Sequence, residues 1–123
     1  MQISEAESVV MDVLWRHHPL AAEDVVAALA DARQWQDTTI KTLLNRLLNK
    51  GAIAAEKDGR RYLYVPVLRR EDWMLDESQG LLERMFDGRV APLVAHFSAQ
   101  RKLSRKDIAE LRELLGELDD ERR

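Results

Sequence analysis

Seven side chains in one short stretch share a chemistry. Thr38, Thr39, Lys41, Thr42, Asn45, Arg46 and Asn49 fall on one side of a helix predicted over residues 37–50, and every one of them can donate a hydrogen bond. No acid follows Asp37 on that side. Such a surface suits an anionic, acceptor-rich partner. The threonines can bond phosphates or base edges, or touch thymine methyls. Asn45 can pair an adenine edge, and Arg46 can be bidentate to guanine. Further along, Lys57, Arg60 and Arg61 gather around a predicted turn, where phosphate oxygens would meet them. The plainer alternative is a solvated helix beside an ordinary β-turn.

These residues need elements to hold them. Ser4-Glu5-Ala6-Glu7 reads as a capping box, and Ala6, Val9, Val10, Val13 and Leu14 follow it at helical spacing. That helix should fade at His17-His18-Pro19, because a residue before proline disfavours the α region. A short second helix is expected over residues 22–30, on the stripe Val25, Val26 and Leu29, with no side-chain acceptor at Ala21 or Ala22. The third, with Asp37 expected as its N-cap, buries Ile40, Leu43, Leu44, Leu47 and Leu48 and stops at Gly51. Residues 52–56 and 61–65 then read as two strands joined through Lys57-Asp58-Gly59-Arg60. Pro66 ends the second strand or puts it at a sheet edge. Three helices and a hairpin in this order are those of a winged helix-turn-helix, in which the third helix enters the major groove.

A second half begins near Arg69. Helices are expected over about 70–86, 90–100 and from the capping signature Ser104-Arg105-Lys106-Asp107 onward, with a fraying tail after Leu118. The fold class is therefore mainly α with a small β-hairpin: a winged helix over residues 1–68 and a three-helix dimerisation region over 69–123. So few residues cannot bury their own apolar content, and pairing with a second copy is the usual remedy. The expected dimerisation residues are Trp73, Leu81, Met85, Leu93, Phe97, Ile108, Leu111, Leu115 and Leu118. The alternative is that these helices pack back on the first domain of the same chain.

Composition narrows the function classes. The chain has 123 residues, 46% apolar and 33% charged, so it should fold and stay soluble. It has no cysteine, which excludes disulfide scaffolds, zinc fingers and thiol catalysis. Its five glycines form no phosphate-cradling cluster. No apolar run nears the ~20 residues of a membrane helix, and Met1-Gln2-Ile3-Ser4-Glu5 is not the start of a signal peptide, so a cytoplasmic protein without membrane insertion is expected. The net charge of −3 hides an asymmetry: residues 33–70 hold nine Lys and Arg against three acids, between two acidic flanks. One face should therefore meet a polyanion. His17 and His18 are neighbours and point about 100° apart on a helix, a poor chelating pair better read as a helix-end feature. No nucleophile–base pair is visible. The reading is a non-enzymatic protein with no cofactor and no metal. A protein-interaction module on the same fold is the alternative function.

In sequence the chain resembles the penicillinase-repressor family, the BlaI/MecI type. The resemblance is carried by Ile3-Ser4-Glu5-Ala6-Glu7, Val10-Met11-Asp12-Val13-Leu14-Trp15, Thr39-Ile40-Lys41-Thr42-Leu43-Leu44-Asn45-Arg46-Leu47 with Lys50-Gly51, Tyr62-Leu63-Tyr64, Leu93-Val94-Ala95-His96-Phe97, and Leu103-Ser104 leading to Ile108-Ala109-Glu110-Leu111-Arg112. It covers nearly the whole chain and is most specific over residues 39–47. It implies a homodimeric repressor on a double-stranded DNA operator. It also implies a membrane metalloprotease sensor that answers β-lactams, and cleavage of the repressor before a phenylalanine. The family's cut bond is Asn-Phe, and the matching pair here is His96-Phe97. A copper-responsive branch has a cysteine-rich C-terminus, which this chain lacks.

Overall fold

The computed structural model describes residues 1–122. Six helices and three short strands run in the order α1 (Glu5–Arg16), β1 (Leu20–Ala21), α2 (Ala22–Arg33), α3 (Asp37–Lys50), β2 (Ile53–Asp58), β3 (Arg61–Pro66), α4 (Arg70–Phe86), α5 (Val90–Ala99) and α6 (Arg105–Glu121). The chain divides into two compact units, Met1–Met74 and a second from Leu75 onward. The expected boundary at residue 68 ignores Trp73. Its ring lies 5.4 Å from that of Trp15, so the first turn of α4 is held in the first unit.

The first unit has one core. Val10, Met11 and Leu14 of α1, Val25 and Leu29 of α2, and Ile40, Leu43, Leu44 and Leu47 of α3 are buried together with Ile53. The stripes of α2 and α3 are those read from the sequence, with Val26 and Leu48 at their half-buried margins; in α1 the buried line is centred on Met11, outside the expected stripe, while Ala6, Val9 and Val13 are half-buried. The capping box forms as expected: the Ser4 N–H donates to Glu7 Oε1 at 2.9 Å, and the Glu7 N–H donates to Ser4 Oγ at 3.0 Å. His18 bonds the Leu14 carbonyl through Nδ1 at 2.8 Å, a helix-end role.

The elements depart from expectation in four places. Helix α2 runs on to Arg33, because the chain turns only where Gln34 adopts φ 56°. The N-cap of α3 is Gln36, without a side-chain bond. Asp37 is instead the first helical residue, where its charge favours the positive end of the helix dipole. Of the two roles expected for Pro66 the first holds, since β3 ends there; the strand is central rather than at an edge, because β1, which the sequence did not announce, pairs with it as well, in the antiparallel order β1-β3-β2. Helix α6 continues past Leu118 to Glu121.

Glu7 also does something no local pattern announces. The residue is 2% exposed, and its carboxylate meets the Lys50 ammonium of α3 at 2.6 Å. Lys50 Nζ donates as well to the Gln2 carbonyl, 3.1 Å away. Burial pushes the Glu7 carboxyl up, but Lys50 and the Ser4 N–H together hold it below its ordinary value. The resulting stabilisation is complete above the unfolded carboxyl value of about 4.3. It is lost as pH falls through the lower folded value. Lys50→Met leaves a buried carboxylate without its cation and should lose about 1–3 kcal/mol in urea unfolding at pH 7. The gap to wild type should narrow below pH 4, where protonation relieves the stranded charge.

The second unit has no comparable interior. Among the described residues from 75 onward none is fully buried. Helix α6 opens on a reciprocal Ser104–Asp107 capping box, as its sequence predicts. No helix of the described residues is long and apolar enough to cross a membrane, and no group of His, Asp or Glu among them could hold a metal ion.

Candidate nucleic-acid interface

Helix α3 owes its two faces to its spacing. Ile40, Leu43, Leu44 and Leu47 are buried, while Thr38, Thr39, Lys41, Thr42, Asn45, Arg46 and Asn49 are all exposed on an arc of roughly 160° at 100° per residue. Thr38, Thr39, Thr42 and Arg46 line one shallow hollow of about 250 Å³, floored by Leu43. The Thr42 hydroxyl donates to the Thr38 carbonyl at 2.8 Å, which turns its oxygen lone pairs outward as acceptors. Among the described residues neither Lys41 nor Arg46 pairs with a carboxylate. The face keeps its positive charge free.

The hairpin turns more tightly than its sequence suggests. Lys57 and Asp58 are still in β2, and only Gly59 and Arg60 make the turn, with Asp58 opposite Arg61. Gly59 takes φ +64°, as a two-residue hairpin with glycine at its first central position requires. The pleat then separates the three cations that the sequence groups together. Ile53, Ala55 and Lys57 share a face with Tyr62, Tyr64 and Pro66, and this face packs on the helices through Ile53 and Tyr64. Asp58 and Arg61 lie on the other face, with Arg61 Nε 3.5 Å from Asp58 Oδ2. Lys57 and Arg60 have no carboxylate partner among the described residues. Tyr62, which the sequence marks as a strand former and as part of the family resemblance, is 55% exposed beside Lys57. The register supplies that signal, and the sequence does not contain it.

The apolar residues of the second half are distributed unevenly. Trp73 belongs to the first unit, against Trp15. Leu93 and Phe97 of α5 share a hollow of about 260 Å³ with Leu111 of α6, and Ile108, Leu111 and Leu115 line a larger apolar one of about 540 Å³. Leu81, Met85 and Leu118 are exposed, as are Leu114 and Val90, which the sequence reading left out of this set. The His96–Phe97 bond lies inside α5, in its last turns. The His96 carbonyl accepts from the Gln100 N–H at 3.2 Å, and the His96 ring centroid stands 6.1 Å from those of Phe86 and Phe97.

Comparison with known proteins gives the same answer at three levels. The family model described as "Penicillinase repressor" matches residues 3–117. A penicillinase repressor of Bacillus licheniformis is 35% identical over 116 residues, covering 94% of this chain and 91% of that one. The methicillin resistance regulatory protein MecI of Mammaliicoccus sciuri is 30% identical over 115 residues, with 94% of each chain covered. The solution structure of the monomeric form of Bacillus licheniformis BlaI in complex with the blaP half-operator superposes with a TM-score of 0.53 at 39% identity, over 58% of this chain and 88% of that one. With its winged-helix architecture and near-complete match, the chain belongs to the penicillinase-repressor family, whose members are DNA-binding transcriptional repressors and not enzymes.

Proposed function

We propose that the protein is a homodimer that occupies a pseudo-palindromic operator and excludes polymerase, the winged-helix unit reading DNA and the helical unit pairing two copies. The observation that carries the reading head is the exposed, acid-free face of α3. Thr38, Thr39, Lys41, Thr42, Asn45 and Arg46 there offer base-edge and phosphate contacts. Lys57 and Arg60 at the hairpin tip supply sequence-independent phosphate contacts, with Arg61 the weakest of the three because Asp58 competes for it. A two-fold dimer sets two such heads on successive major grooves.

Arg46→Ala is expected to weaken operator binding by about 1–3 kcal/mol and to relax the preference at one position per half-site. Lys57→Ala should weaken binding to all sequences and lower the salt slope by about 1. Fluorescence anisotropy over a salt series reads both. Operator binding by Arg46→Ala equal to wild type removes α3 from the reading role. Binding with no salt dependence marks a protein partner instead.

Pairing is supported by the second unit's lack of a buried core and by the exposed leucines of α6. Relief of repression fits cleavage at His96–Phe97 by a membrane metalloprotease that answers β-lactams. Proteases bind extended chain, so α5 must open there first. The last turn of a helix opens most readily.

A further inference from the structure

We propose that Tyr62 is a DNA-contacting residue of the hairpin, its phenol donating to a phosphate oxygen beside the Lys57 ammonium; this rests on the reading of the hairpin as a DNA-binding wing. Three observations carry it. The register sets Tyr62 directly opposite Lys57 in the β2–β3 ladder, so the two side chains stand next to each other on one face. That face belongs to the helical side of the sheet. Two residues along it, Tyr64 is half-buried against the core, whereas Tyr62 lies beyond the last core contact and remains 55% exposed. At 55% exposure Tyr62 keeps much of its ring and its hydroxyl accessible to a partner. Finally, Arg61, next to Tyr62 in sequence, points to the opposite face and is engaged by Asp58 at 3.5 Å. The helical-side face of the hairpin tip therefore offers one cation and one phenol, suited to a phosphodiester oxygen through one charged and one neutral donor.

The neutral donor has a signature of its own. It releases no counterion, so its loss lowers affinity without changing the salt slope, whereas loss of Lys57 changes both. The test uses the full chain, a 30-base-pair duplex of arbitrary sequence as probe, and fluorescence anisotropy from low to moderate salt. Tyr62→Phe keeps the exposed ring and removes only the hydroxyl, and circular dichroism confirms that its thermal midpoint stays at the wild-type value. The expected result is a loss of affinity of about tenfold for Tyr62→Phe, with the wild-type salt slope. Arg61→Ala should lose less than Tyr62→Phe. If Lys57→Ala weakens binding while Tyr62→Phe binds as wild type, the role of Tyr62 is overturned and the wing reading stands. If neither Lys57→Ala nor Tyr62→Phe differs from wild type, or wild type binds no duplex, the wing reading itself falls and this inference with it.

Discussion

Leu115→Asp is expected to convert the protein into a monomer and to lower its operator affinity by ~10²–10⁴-fold, the advantage that linked half-site binding confers. Leu115 lies on α6 among Ile108, Leu111 and Leu118, and it is 60% exposed in the single chain. A charge at such a position is harmless to one chain by itself, because the carboxylate stays in water. If the same leucine packs against a second copy, the charge must be desolvated without a partner, which costs several kcal/mol. The substitution therefore separates loss of pairing from loss of folding. Leu111→Asp is a harsher version, since Leu111 is already half-buried within its own unit. Sedimentation at micromolar concentration reads the oligomeric state, and circular dichroism should show unchanged helix content for Leu115→Asp. A Leu115→Asp variant that still sediments as a dimer would remove α6 from the interface.

Cutting the chain after His96 should have an effect of the same size by another route. The cut leaves Leu93 of α5 without Phe97 and detaches α6, so both apolar hollows of the second unit lose most of their walls. A region with no buried residue to begin with has no reserve against that loss. Two unlinked heads should then bind half-sites with ~10²–10⁴-fold lower affinity than the intact dimer binds an operator. The experiment expresses the chain with its chromosomal neighbours, adds a β-lactam and follows the protein by immunoblot. The expected product is a fragment ending at His96, appearing as the target gene is derepressed. Derepression with the protein intact would exclude this bond and point to a ligand or a second protein as the signal.

The winged-helix half was legible because its signals are local and periodic. Val10 and Leu14, Val25 and Leu29, and Ile40, Leu43, Leu44 and Leu47 recur every three or four residues and all are buried, although the period did not single out Met11, which is buried with them. Both capping boxes also form, since a serine and an acid three residues later need only each other. Strand β1 was not legible. Two residues carry no alternation, and Leu20 and Ala21 become a strand only because Tyr64 and Leu63 lie alongside. The end of α2 is hidden from the sequence for a similar reason: Gln34 has no obligatory left-handed preference, and its φ of 56° follows from where the chain must go next.

The sequence by itself determined the family, the order of the helices and hairpin, and the acid-free face of α3, because composition, helical period and capping residues act over a few neighbours. Only the tertiary structure decided which side chains share a surface. It drew Trp73 onto Trp15, buried Glu7 against a lysine 43 residues away, and set Lys57 beside Tyr62 while turning Arg61 toward Asp58. The physical reason is that pleat, register and packing are relations between segments. A one-residue shift of β2 against β3 would carry Lys57 away from Tyr62 and onto the face of Arg61 without altering a single local preference.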